Sequence, residues 1–253
     1  MQTFSSFFSD IFDNSAEGIP KEVVPFTENA RNNLLDSCLS ILTAACQNGA
    51  SLESLIEMNQ HLFLLSSLFA SFEKHVQVNK SKLIRPILLN LQHSIFAPIL
   101  VEMQSSVNIC QEQWDLFLPS LLIYWDSLYQ VHLILYNSKL IRFSSFEKWL
   151  GLISFAELAL FLGPSSSSNP LFTPFGIPRI DESARKIKLI ALSFSILLLK
   201  ISIKLKQKST LRNKAYTDKP EFIHNIGKLC RLVLSSLITV SCSTFQRREQ
   251  LSP

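Results

Sequence analysis

Five histidines, five cysteines and a pair of glutamates are the residues whose types could support catalysis or metal binding. His61, His75, His93, His132 and His224 form no HExxH pair, and none pairs with cysteine at zinc-site spacing. Cys38, Cys46, Cys110, Cys230 and Cys242 show no CxxC spacing. Cys38, Cys46 and Cys110 lie in stretches of helical apolar periodicity, where a free thiol behaves as a small buried hydrophobe, and this usage fits a reducing compartment. Glu53 and Glu57 share a helix face at i, i+4, a spacing that suits a solvated surface better than a carboxylate dyad. No GxSxG elbow is present. The six glycines are scattered, with neither GxGxxG nor GxxxxGK[ST] among them, which argues against the phosphate loops built on those patterns. Lone histidines on apolar helices, such as His61 and His132, are expected to be structural. The chain is therefore expected to be no enzyme and to hold no metal or cofactor.

A different chemistry is concentrated near the C-terminus. The formal net charge is +4, but residues 1–126 hold 6 basic and 13 acidic residues, and residues 127–253 hold 18 and 7. Residues 179–219 alone carry 11 basic and 3 acidic side chains. Within them Lys200, Lys204 and Lys208 recur every four residues as a stripe, extended by Lys206. Leu197, Leu198, Ile201 and Leu205 fall largely on the other side. A basic amphipathic helix of this kind suits an anionic lipid surface. The candidate membrane-binding residues are Lys188, Lys200, Lys204, Lys206, Lys208 and Arg212. Nucleic acid is not expected as a partner, because the run lacks interleaved aromatics and any zinc or RNP signature.

The elements that must carry these residues are helices. The 253-residue chain is 47% hydrophobic and 17% charged, with a mean hydropathy of +0.22, so it is neither disordered nor collagen-like. Few glycines argue against the many tight turns of a β-sandwich or barrel. Apolar periodicity places helices at about 29–47, 51–72, 80–107, 111–136, 144–162, 181–208 and 220–245. Pro86 and Pro98 are expected to break or kink the third. The reading is an all-α helical bundle of about seven helices, with the C-terminal helices membrane-associated. Residues 1–26 form a leader with Phe4, Phe7, Phe8 and Phe12 at helical spacing. Residues 27–162 form an N-terminal helical region, 163–178 a Ser/Pro-rich loop, and 179–253 the basic C-terminal helices.

Three C-terminal segments are apolar enough to compare with a bilayer, whose hydrocarbon core takes about 20 residues of helix. Residues 149–163 include Glu157, residues 189–199 are bounded by Lys188 and Lys200, and residues 232–245 include six Ser or Thr. Each is short for a simple span. A span over 187–203 would require Lys188 and Lys200 to snorkel, so an in-plane arrangement fits the sixth helix better.

In order, these features resemble the peroxin-eleven family of peroxisomal membrane proteins. Lys82-Leu83-Ile84-Arg85 resembles that family's basic Lys-Leu-x-Arg segment. Trp125-Asp126-Ser127-Leu128-Tyr129, followed by Asn137-Ser138-Lys139-Leu140, is similar to its "Asp … tryptophan-leucine … Gly-Leu" stretch. Residues 187–206 resemble its apolar-then-basic helix and 222–241 its last hydrophobic helix. Pro86 stands where a Gly usually follows the basic segment, and the last helix holds only Gly227 where the family is glycine-rich. The resemblance implies a non-enzymatic role in shaping, elongating or dividing the peroxisomal membrane. It also implies self-association and engagement of organelle fission machinery. The alternative is a soluble, cytoplasmic all-α scaffold or interaction subunit of a larger complex.

Four prolines and a serine run within 163–178 suit an exposed connection. Limited proteolysis is expected to cut there before anywhere between residues 30 and 160, as read by mass spectrometry of the first fragments. A first cut inside the second or fourth helix would overturn the segmentation.

Overall fold

The computed structural model describes residues 27–48, 54–105, 111–141, 146–160, 178–207 and 220–250. The leader, residues 163–177 of the Ser/Pro-rich stretch, Lys208 and Arg212 lie outside them, and Pro178 opens a helix. The regular structure of the described residues is helical, without strands: α1 (Glu28–Asn48), α2 (Ser54–Ser71), α3 (Lys74–Leu91), a π-helical turn (Gln92–Phe96), α4 (Ala97–Ser105), α5 (Gln111–Asn137), α6 (Phe146–Leu160), α7 (Pro178–Gln207) and α8 (Pro220–Gln250). Because α3, the π turn and α4 are continuous, these make seven helices, as the periodicity requires.

The chain divides into two units, Met1–Leu34 and Leu35–Pro253. In the first, Thr27 caps the start of α1. Its Oγ1 accepts the Ala30 N–H at 3.3 Å and its carbonyl accepts the Arg31 N–H at 3.0 Å, and Glu28 lies in the first turn, where the helix dipole favours an anion.

In the second unit, α5 is the central helix, packed against α2, α3 and α7. Its buried positions include Trp114, Phe117, Leu118, Leu121, Tyr124, Trp125, Leu128, Val131, His132 and Leu135, the three-and-four spacing of one broad stripe. In turn, α7 packs against α5, α6 and α8. Helices on both sides of 163–178 thus share one unit.

Of the break or kink expected at Pro86 and Pro98, there is no break, and the helix runs on through both. Pro86 sits inside α3 and Pro119 inside α5. Both are exposed, as are Lys82 and Asp115 four residues earlier, so the carbonyls that lose a donor can bond water instead. Pro98 follows the π turn, where the Ala97 N–H reaches the Gln92 carbonyl five residues back. The helix also begins at Lys74 rather than near residue 80. Its first turn is joined to the end of α2 by the Gln77 side chain, whose Nε2 donates to the Phe69 carbonyl at 3.1 Å.

The end of α5 is a Schellman turn. The Leu140 N–H donates to the Leu135 carbonyl at 2.8 Å and the Lys139 N–H to the Tyr136 carbonyl at 3.0 Å. Lys139 takes a φ of 58°, a left-handed conformation that costs a side-chain-bearing residue about 1 kcal/mol. Lys139→Gly is expected to recover about that amount and to raise the thermal midpoint by about 2–4 °C for a chain of this size. Differential scanning calorimetry checks it, and an unchanged or lowered midpoint would contradict the turn geometry.

Candidate membrane-binding surface

In a helix bundle, position around a helix decides what each side chain can meet. On α7 the inward side holds Ile187, Ala191, Phe194, Leu198 and Ile201, all fully buried, with Leu197 and Leu205 at 4% and 8% exposure. The apolar residues that the sequence offers to lipid are therefore packed within the bundle. The side is also tied by hydrogen bonds: Ser195 and Ser202 hydroxyls donate to the Ala191 and Leu198 carbonyls, and the Trp149 indole N–H of α6 donates to Ser202 Oγ at 2.8 Å.

The outward side of α7 carries Arg185, Leu189, Ser193, Lys200, Ile203, Lys204 and Gln207, all exposed. Lys200 and Lys204 therefore share an exposed face with two large aliphatic residues, Leu189 and Ile203, at 39% and 44% exposure. Lys204 lies against α5, its Nζ 3.8 Å from the centroid of the Tyr136 ring, a cation–π contact. Lys206 is exposed but rotated away from this stripe. Lys188 is half-buried, and desolvation lowers its pKa. Of the six expected residues, the structure thus brings Lys200 and Lys204 onto one face and separates Lys188 and Lys206 from it; Arg185 joins the face unexpectedly.

The one helix among the described residues that is long and apolar enough to cross a membrane is Lys74–Met103, rather than a C-terminal one. Its exposed residues include Leu83 and Val101 beside Lys82, Asn90, His93 and Glu102, whereas Ile84, Leu88, Leu91, Ile95 and Leu100 are buried in the bundle.

Cys38 and His132 are buried and hydrogen-bonded. Cys38 Sγ donates to the His61 carbonyl at 2.9 Å, and burial pushes the thiol pKa up to about 11, away from nucleophilic character. His132 is fully buried. Its Nδ1 lies 2.8 Å from the Leu128 carbonyl, which can only accept, so Nδ1 carries the proton. Nε2 then accepts the Arg85 Nε–H at 3.2 Å. Burial also lowers the Arg85 pKa to about 10. Nothing in the spacing of Arg85 and His132, 47 positions apart, announces this pair. Among the described residues no three His, Cys, Asp or Glu side chains converge as metal ligands.

Burial, with the Arg85 charge added, depresses the His132 pKa to about 3, against a smaller opposing effect of its bond to Leu128. The stability contributed by neutral His132 is therefore complete above its unfolded pKa of about 6.5. It is lost as pH falls towards 3, by up to about 1.4 kcal/mol per pH unit. Urea midpoints of the wild type are expected to hold above pH 7 and to fall steadily below about pH 6, with a shallower fall in His132→Gln. Parallel curves would remove His132 as the titrating group.

The chain was compared with family models, curated proteins and solved structures, and none matches it.

Proposed function

We propose that the protein acts without catalysis at an anionic membrane surface, as a peripheral helical protein that helps to shape, elongate or divide the peroxisomal membrane. The observation that carries the lipid contact is the outward face of α7, where exposed Arg185, Lys200 and Lys204 alternate with exposed Leu189 and Ile203. Cations there meet headgroups while the short aliphatic side chains enter the boundary between headgroups and acyl chains. The organelle and the remodelling role come from the peroxin-eleven resemblance. One local feature agrees with it. Lys139 holds the left-handed conformation that glycine favours, at the position corresponding to the family's Gly-Leu.

A second reading, a soluble all-α scaffold, is favoured by the burial of the inward apolar residues of α7 within the bundle. The two readings differ in vesicle binding. The full-length protein is expected to co-sediment with vesicles containing anionic lipid, less with neutral ones, and less as salt rises. Changing Arg185, Lys200 and Lys204 to Gln removes three charges at about 1 kcal/mol each, so partitioning at low salt should weaken by up to about 100-fold. Circular dichroism should barely change, because Arg, Lys and Gln have similar helix propensity. Equal recovery with anionic, neutral and no vesicles would favour the soluble scaffold.

A further inference from the structure

The contacts along α5 bring the termini of several helices to one end of the bundle. Trp125 meets Phe194 and Tyr136 meets Lys204, so α5 and α7 run parallel and finish together. Tyr124 bonds Leu88 and His132 bonds Arg85, so α3 runs the other way along α5 and begins near their ends. By the same reasoning α6 begins there, with Phe155 on Trp125 and Trp149 bonded to Ser202. Among the described residues this end is rich in lysine. Lys74 and Lys80 stand in the first turns of α3, Lys139 just beyond α5, and Lys200 and Lys204 in the last turns of α7. Of the acids there, Glu73 lies 3.3 Å from His75, and Glu147 and Glu221 open α6 and α8. Towards the other end α4 and α5 carry exposed Glu102 and Asp115, and α7 alone of these helices supplies cations.

Lys139 keeps its place at this end under strain. Its φ of 58° lies in the left-handed region that glycine enters freely. Glycine would close the same turn at lower cost, yet the chain presents an exposed lysine there. A backbone strained to display a charge points to a contact for that charge outside the chain. Leu140, which completes the turn through its N–H bond to Leu135, is 38% exposed. With Ile203 at 44% it places isolated aliphatic side chains among the lysines.

We propose that the Lys139–Leu140 turn is a second contact with the anionic bilayer, one that tilts the protein so that the ends of α5 and α7 point towards the lipid. The proposal rests on the reading of the α7 face as a lipid surface and fixes how that face is presented. Lys139 and Lys204 meet headgroup phosphates on either side of Tyr136, while Leu140 and Ile203 enter the boundary with the acyl chains. The mixture favours lipid over a protein partner, because the centre of a protein interface is apolar and poor in lysine. Arg185 lies about 28 Å from Lys204 along α7, so in the tilted state it stays further from the bilayer.

Co-sedimentation of the full chain with vesicles of phosphatidylserine and phosphatidylcholine, against phosphatidylcholine alone, tests the proposal. Lys139→Gly relieves the turn and so keeps the fold, yet it should bind the anionic vesicles about fivefold more weakly, with a shallower dependence on salt. Lys139→Arg keeps the charge and should bind like the wild type. Leu140→Ser should weaken binding at every salt concentration while circular dichroism stays unchanged. Arg185→Gln should weaken binding less than Lys204→Gln. Undiminished binding by Lys139→Gly, or an equal loss in Lys139→Gly and Lys139→Arg, would overturn the proposal. So would an Arg185→Gln loss as large as that of Lys204→Gln, which would lay α7 flat on the lipid. In each of these outcomes the wild type still binds anionic vesicles, and the lipid reading of α7 stands. A wild type that binds neither kind of vesicle would remove both.

Discussion

The Trp125 indole joins three helices. It stacks on Phe155 of α6 with centroids 4.9 Å apart and meets Phe194 of α7 edge-on at 5.4 Å. Its neighbour Tyr124 turns the other way, stacking on Phe96 at 4.3 Å in the π turn. Two consecutive residues of α5 thus hold the C-terminal pair α6 and α7 on one side and the α3–α4 rod on the other. Large rings supply much buried area with few rotatable bonds, so they fix relative helix positions at low entropic cost. The joint sets α6 and α7 against α5, and Phe222 packed on Trp149 carries the arrangement on to α8.

Apolar packing leaves freedom for helices to slide, and side-chain hydrogen bonds remove it. Tyr124 donates its hydroxyl to the Leu88 carbonyl at 2.9 Å, and Gln92 donates Nε2 to the Gly151 carbonyl at 2.9 Å. Trp149 reaches Ser202, and Arg85 reaches His132. Each bond is worth only about 1 kcal/mol net, but losing one partner strands a buried polar group at a cost of about 1–3 kcal/mol. The penalty for a wrong register exceeds the gain from the right one, which is how a core this apolar selects one arrangement.

Helix existence was legible because the three-and-four spacing of large apolar residues survives in every segment that packs. The exposed proline Pro86 was less legible: it signals a break in sequence, but the effect depends on whether the freed carbonyl faces water, a tertiary fact. The α7 stripe was legible in part. A repeat every four residues puts Lys200 and Lys204 together, but Lys206 lies on another side of the turn, and only packing shows that Lys188 is half-buried. The Arg85–His132 pair left no sequence signal, because its partners come from different helices.

An apolar stripe opposite a cationic one is ambiguous by itself, since a bilayer and a protein core reward the same pattern. In α7 the stripe also contains Ser195 and Ser202, and Ser202 accepts a bond from Trp149 on another helix. Lipid tails offer no such donor, so the inward side of α7 is shaped for protein. The outward side has the reverse character: isolated aliphatic side chains among cations, with no buried polar group requiring a partner. In α8 the exposed outward residues Ile223, Leu234 and Ile238 carry no charge, and Lys228 on the same helix is already paired with Glu157. The two helices thus present surfaces of different kinds to their surroundings, one cationic and one apolar.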